Sequence, residues 1–218
     1  MAHRLQYFPL RSRGELIRLM YAYGGLPLEE VTIPLGRAYA SIKPTLPFAQ
    51  LPVMEIEGKR YAQSVAIARY AAKRVGLYPL DDHLAALEVD MIVDAVQDIV
   101  NPIIKGYFLE RDAALREKNV MKLNKYRLPE VLGGIQTRVP SDATPDRPYF
   151  LGQKMSLADV AVFDVIENYL IPEKDVFPID FTEAYPKLLD IVERVKREPA
   201  IASHLKNPAN KRPHKPSL

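Results

Sequence analysis

The chain of 218 residues contains no cysteine. That absence excludes a disulfide framework, a thiolate metal site and a CxxC redox centre. Long apolar runs are also missing, so neither a signal peptide nor a membrane span is expected and the protein is read as soluble and cytoplasmic. No internal repeat is visible. Strong charge of either sign is lacking too, since the net charge is only +3. The distribution is more informative. Residues 1–78 carry eleven Lys and Arg against five Glu and no Asp, whereas residues 79–218 carry nineteen basic and twenty-two acidic side chains. Two stretches of such different character fit two domains. A mildly basic first domain favours an anionic ligand and is too weakly basic for a nucleic-acid partner.

What the chain does have is a change of rhythm near residue 78. Leu5-Gln6-Tyr7-Phe8 reads as a short strand ending at Pro9. Leu16, Leu19, Met20 and Tyr23 then recur at helical spacing, and Gly24-Gly25 stops the helix. Leu28 to Ile33 reads as a second strand, followed by a short irregular segment over 36–43. Residues 52–61 read as a hairpin with Gly58 in its turn. Ser64 stands at the expected cap of a helix running to about Arg74. The order β-α-β-(α)-β-β-α predicts a thioredoxin-like layer of four strands with helices on both faces. After a linker over 76–82 the pattern is helical. Leu84, Leu87, Met91, Ala95 and Ile99 form one apolar stripe, a second helix covers 112–138, and 139–149 is a proline-rich loop. Residues 156–170 form a helix apolar nearly all round, hence buried. Ser156 and Asp159 make a capping box at its start, which is a folding signal. One or two further helices fall between 186 and 204. The fold class expected is therefore α/β plus all-α: a thioredoxin-like domain over 1–78, an all-helical domain over 82–205, and a flexible basic tail over 206–218.

A chain without cysteine still performs thiol chemistry if it binds a small thiol and stabilises its anion. A free thiol with a pKa near ~8.5 is only about 3% ionised at pH 7. A tyrosine hydroxyl is a suitable donor to the sulfur anion. Tyr7 ends the first strand, on the side where open α/β sheets place ligands. Leu51-Pro52 precedes a strand, and a cis peptide there offers the Leu51 backbone as an edge for an extended peptide. Gln63-Ser64 opens a helix whose free N–H groups make an anion site.

Three runs carry a resemblance: Tyr-Phe-x-x-Arg-x-Arg-x-Glu-x-Ile-Arg from Tyr7 to Arg18, Lys-x-Thr-x-Pro-Phe-x-x-x-Pro-Val from Lys43 to Val53, and Gln-Ser-x-Ala-Ile-Ala-Arg-Tyr from Gln63 to Tyr70. With weaker matches over 89–94 and 152–159, the chain resembles cytosolic glutathione transferases over roughly residues 4–204, in particular the sigma-like class that includes prostaglandin D synthases and lens S-crystallins. The resemblance implies a glutathione S-transferase of detoxifying type with glutathione as co-substrate; no metal is expected, because Gln97 replaces the acidic residue that the family places beside its Asp. Tyr7 and Arg13 would be catalytic, Tyr7 bonding the thiolate and Arg13 adding positive field. Tyr39, Lys43 and Gln50 would meet the glycyl end, Leu51 with cis Pro52 the cysteinyl backbone, and Gln63 and Ser64 the γ-glutamyl carboxylate. Asp98 would reach the γ-glutamyl ammonium across the interface of a homodimer. Gln50 stands where many relatives have Lys, Tyr39 where the class has Trp, Ser12 for a usual Gly and Gly14 for a usual Ala. Ser12 is the rival thiol partner. Leu10, Ile104, Lys105 and Phe108 are the expected lining for a small hydrophobic electrophile, with peroxide reduction and isomerisation as further reactions of the same thiolate. The alternative is a non-enzymatic glutathione-binding or crystallin-like protein on the same fold. Neither a nucleic acid nor a membrane is an expected partner.

Overall fold

A computed structural model describes residues 3–141, 144 and 146–216; of the 139–149 loop expected from sequence, 142, 143 and 145 lie outside the described residues. The described chain forms two compact units. One holds the chain up to Gly76 together with Pro199–Lys215, and the other holds Leu77–Glu198.

The first unit is built on four strands, β1 (His3–Tyr7), β2 (Leu28–Thr32), β3 (Val53–Ile56) and β4 (Lys59–Ala62). Their order in the sheet is β2-β1-β3-β4. β1 and β2 run parallel, with Tyr7 opposite Thr32, while β3 runs antiparallel to both β1 and β4. The parallel pair requires a crossover, and α1 (Ser12–Tyr23) supplies it. The β3–β4 hairpin turns at Glu57 and Gly58, with φ of 53° and 75°. Two successive positive φ values fit the turn that matches strand twist, and glycine takes the second without steric cost. α2 (Arg37–Ile42) orders a segment that the sequence reads as irregular, and α3 (Ser64–Arg74) completes the unit. This is a thioredoxin-like domain. Its core is the apolar face of β1 and β3 against α1 and α3, with Leu5, Ile17, Met20, Val53, Met54, Ala68 and Ala71 all essentially inaccessible.

The second unit is helical. α4 (His83–Ile103) is capped by Asp82, whose carboxylate accepts from the N–H groups of Leu84 at 3.1 Å and Ala85 at 3.0 Å. Pro102 removes a helical donor near its end, and the helix relaxes into a π-helical turn over Ile104–Phe108. α5 (Ala113–Lys122) passes through a second π-turn, Leu123–Arg127, into α6 (Leu128–Arg138). α7 (Leu157–Val165) has all nine residues buried, as its all-round apolar pattern demands. α8 (Phe181–Ala184) and α9 (Pro186–Arg197) follow.

Two expectations from sequence are corrected. The α4 stripe that is buried runs through Val89, Ile92, Val93, Val96, Ile99, Val100 and Ile103, whereas Leu84, Leu87 and Met91 are exposed. This helix has two apolar faces, and periodicity alone does not tell which one a single chain covers. The cap of α3 is Gln63, and Ser64 is the first helical residue. Residues 199–215 belong to the first unit. α10 (Pro199–Lys206) packs on α1, Asn207 caps a short turn over Pro208–Asn210, and Arg212 pairs with Glu30 of β2 at 2.8 Å. The prolines and lysines of this segment resemble a solvated tail, and partners nearly 200 residues earlier hold it in the first unit.

Candidate functional site

Tyr7 closes β1 with its side chain 4% exposed. The chain then turns sharply. Leu10 donates its N–H to the Phe8 carbonyl at 2.7 Å, and α1 begins at Ser12, whose φ of 34° is in the left-handed region. That turn brings the helix N-terminus back over the strand end. The backbone N–H of Arg13 donates to the Tyr7 hydroxyl oxygen at 3.1 Å. Ser12 hydrogen-bonds the same oxygen. Burial pushes the Tyr7 pKa up, and the bonds from Ser12 and Arg13 with the charges of Arg13 and Arg18 only partly offset it. The hydroxyl therefore keeps its proton at neutral pH and is available as a donor. An N–H group on its oxygen polarises the O–H bond and strengthens that donor. The Arg18 guanidinium lies 5.8 Å from the Tyr7 ring centroid, so the ring also carries a cation on its face.

Gly14 contributes in a way that the sequence does not reveal. A Cβ there would come within 2.6 Å of Tyr7 Cδ1 and 3.0 Å of Arg18 Nη1. The missing side chain lets the ring lie directly against α1. The position looks like ordinary helix, and only the packing shows why glycine occupies it.

The remaining first-unit candidates lie on the segments that flank the same sheet. Tyr39, in α2, donates its hydroxyl to the Ala49 carbonyl at 3.1 Å and meets Phe8 edge-on at 5.0 Å. Phe8 in turn touches Tyr7 at 5.4 Å, so an aromatic chain runs from Tyr7 to Tyr39. Lys43 is exposed, with its ammonium 5.8 Å from the Tyr39 ring centroid. Gln50 is exposed and extended just before the buried Leu51, and the Leu51–Pro52 peptide is cis. Gln63 holds φ 74° without Gly's freedom, at the free end of α3. Among the described residues, no group of three His, Cys, Asp or Glu side chains is placed to hold a metal ion.

In the second unit, Asp98 lies on α4 and forms an ion pair with Arg127 at 2.6 Å, both side chains about half exposed. Ile104, Lys105 and Phe108 share the π-turn after α4. Phe108 is buried and stacks on Tyr169 at 6.2 Å, so part of its role is packing. Lys105 lines a groove of about 470 Å³ with Asn119, Lys122 and Arg127. Leu10, in the first unit, is 5% exposed.

A four-stranded thioredoxin-like domain followed in the chain by a helical domain defines the class. Residues 3–73 match the family description "Glutathione S-transferase, N-terminal domain", and residues 97–208 match "Glutathione S-transferase, C-terminal domain". The chain belongs to the glutathione S-transferase family, whose enzymes take glutathione as co-substrate. It is 33% identical over 204 residues to hematopoietic prostaglandin D synthase of Gallus gallus, covering 92% of this chain and 94% of that one. To a glutathione S-transferase of Anopheles gambiae it is 33% identical over 196 residues, with 88% and 90% covered. The prostaglandin synthase D of Nilaparvata lugens has a similar structure, with a TM-score of 0.81 at 26% identity, covering 95% of this chain and 98% of that one.

Proposed function

We propose that the protein binds glutathione on its thioredoxin-like unit, ionises the thiol beside Tyr7 with release of its proton to solvent, and bonds the sulfur of the intact glutathione to an electrophilic carbon of a small hydrophobic substrate, which expels its leaving group or takes up a proton. The observation that carries this reading is the buried, protonated Tyr7 hydroxyl at the N-terminus of α1, already polarised by the Arg13 N–H. A thiolate arriving there takes the phenolic hydrogen bond, and the helix N-terminus and Arg13 add positive field. Lys43, Tyr39 and Gln50 receive the glycyl carboxylate, Leu51 beside cis Pro52 receives the cysteinyl backbone, and Gln63 with Ser64 at the start of α3 receives the γ-glutamyl carboxylate. Gln50 in place of a cation removes one charge-assisted bond from the glycyl end, which costs about 1–3 kcal/mol where nothing replaces it. The wanted test is direct: glutathione with 1-chloro-2,4-dinitrobenzene as acceptor, scored by initial rate and by the absorbance of the bound thiolate. Turnover together with a thiolate signal at pH 7 is the expected result. Glutathione binding with neither signal would return the protein to the binding-only, crystallin-like reading.

The relatives named prostaglandin D synthase favour the sigma-like class, and reduction of a peroxide or isomerisation of a lipid are further reactions open to the same thiolate. Chemistry on reactive electrophiles fits a cytoplasmic, detoxifying role, and no helix among the described residues is long and apolar enough to cross a membrane.

The working assembly in this proposal is a homodimer. Its support is apolar surface left open on each unit. In the first, a groove of about 650 Å³ is lined by Tyr61 and Tyr70, both exposed, beside Phe48, which is 74% exposed. In the second, Leu84 and Leu87 on α4 are 74% and 63% exposed. Burying such surfaces contributes roughly 25 cal/mol per Å² before association costs. Light scattering is expected to give about twice the 24.7 kDa of one chain. Replacing Phe48 by Ser and Leu87 by Lys together should move the protein toward the monomer mass. In the dimer Asp98 would either keep Arg127 or exchange it for the glutathione ammonium of the neighbouring site.

A further inference from the structure

The segment Pro199–Lys215 returns to the first unit and lies against α1. Its contacts converge on the turn that carries the thiol site. Arg18 is the centre, with a side chain only 2% exposed. Its Nη1 donates to the Leu10 carbonyl at 2.9 Å and to the Arg11 carbonyl at 3.5 Å, so one guanidinium holds the turn between Tyr7 and Arg13 from beneath. Arg18 is itself held by Glu15 at 3.2 Å and by Glu30 at 3.0 Å. Both carboxylates are shared with the returning segment. His204 meets Glu15 at 2.9 Å, and Arg212 donates to Glu30 at 2.8 Å. Asn210 donates to the His204 carbonyl at 3.1 Å and lies 3.0 Å from its ring nitrogen, which fixes the spacing between the two. A backbone bond closes the arrangement, from the Arg11 N–H to the Pro213 carbonyl at 2.9 Å.

This is more than a packed terminus. Two guanidiniums, Arg18 and Arg212, share one carboxylate, and burial together with the Arg18 charge pulls the Arg212 pKa down. Two cations on one carboxylate, one of them buried and the other part-buried, are costly unless the geometry is closely satisfied. The turn they brace contains Ser12 at a positive φ, and it aims the Arg13 N–H at the Tyr7 oxygen. Backbone geometry of this kind persists only where surrounding contacts over-determine it.

We infer that the C-terminal segment, through the Arg212 guanidinium and the Pro213 carbonyl, is a positioning element of the thiolate site: it holds the Leu10–Arg13 turn so that the Tyr7 hydroxyl and the start of α1 meet the sulfur. The inference rests on the proposed role of Tyr7. Arg212 touches no reacting atom, and it acts by keeping Glu30 and Arg18 in place beneath the turn. Charged groups facing it are Glu30 from β2, Glu15 and Arg18 from α1 and, when protonated, His204 from α10.

The test is the ionisation of bound glutathione, followed by thiolate absorbance and by the acid limb of kcat/KM, in wild type, Arg212→Met, Arg212→Lys and a chain ending at Lys211. Arg212→Met and the shortened chain are expected to bind glutathione and unfold cooperatively, with the acid limb moved up by about one pH unit. That is about tenfold less thiolate at pH 6. Arg212→Lys should recover part of the shift. A limb unmoved in both Arg212→Met and the shortened chain overturns the inference, and so does loss of the fold in both, which would make the segment structural only. A wild type that forms no thiolate overturns the reading of Tyr7 and this inference with it, whereas a wild type with a normal thiolate and insensitive variants overturns the positioning role alone.

Discussion

Replacing Tyr7 by Phe is expected to lower kcat/KM for glutathione conjugation by about 100-fold while leaving glutathione binding within a few-fold of wild type. The magnitude follows from removing one preorganised donor to an anion in a water-poor site. The ring stays, so its contacts with Phe8 and with the helix at Gly14 are kept. What goes is the hydroxyl that burial keeps protonated and that Arg13 polarises. The acid limb of the pH profile should rise toward the value of free glutathione, because the thiol then ionises without its donor. Ser12 provides the comparison, since its hydroxyl bonds the Tyr7 oxygen and the residue is buried. Ser12→Ala removes one neutral hydrogen bond to the donor, worth about 1 kcal/mol, so roughly a fivefold loss is expected. If Ser12→Ala proves the more damaging, the sulfur's partner is Ser12, and Tyr7 is the group that orients it. Stopped measurements of bound thiolate in the two variants separate these cases, because they read ionisation without the later chemical step.

The sheet was readable because its signals are local. A period of two ends at Pro9, a period near 3.6 follows, and Gly58 marks a turn that needs positive φ. Tyr7 stood out for the same reason, being the last residue of a strand before a helix. The capping box at Ser156 is likewise written within four residues. What failed to show was non-local. The α4 sequence is apolar on two sides, and which side faces the core depends on helices that arrive later in the chain. Gly14 looks interchangeable with alanine until the Tyr7 ring is placed 2.6 Å from the missing Cβ. The partners of the C-terminal segment were not legible, because proline and lysine report the solubility of a stretch and not what it meets. Glu30 and Arg212 are 182 positions apart, and nothing between them in sequence announces that they meet. In the site itself, residue types were legible from the resemblance, but the bonds between them were not. The Arg13 N–H on the Tyr7 oxygen and the Arg18 bonds to the Leu10 and Arg11 carbonyls all meet at the one turn through Ser12.

The largest expected loss of stability comes from Asp159→Ala in the second unit. Asp159 is wholly inaccessible at the first turn of α7. Its carboxylate accepts the Ser156 N–H at 2.7 Å, the Ser156 hydroxyl at 2.7 Å and the Phe150 N–H at 3.1 Å. One side chain thus ties the preceding loop to the start of a helix whose every residue is buried. Truncation to Ala strands two backbone donors away from water, at about 1–3 kcal/mol each. A total near 3–4 kcal/mol should lower the thermal midpoint by about 10 °C for a chain of this size. The pH dependence checks the cause. Burial pushes the Asp159 pKa up to about 6, against the bonds from Ser156 and Phe150 that favour the anion. An unfolded Asp titrates near ~3.9. Between those values the folded chain keeps a proton that the unfolded chain has released, so this group's contribution is fully present below about pH 4 and is lost as pH rises through about 6, a span of about 3 kcal/mol. The gap in stability between wild type and Asp159→Ala should therefore be widest near pH 4 and should narrow toward pH 7.5. A gap that instead widens with pH would mean that the three bonds outweigh burial and that the anion is the form the fold prefers, in which case Asp159→Asn, which keeps one acceptor but turns an amide toward the Ser156 N–H, should cost nearly as much as alanine at neutral pH.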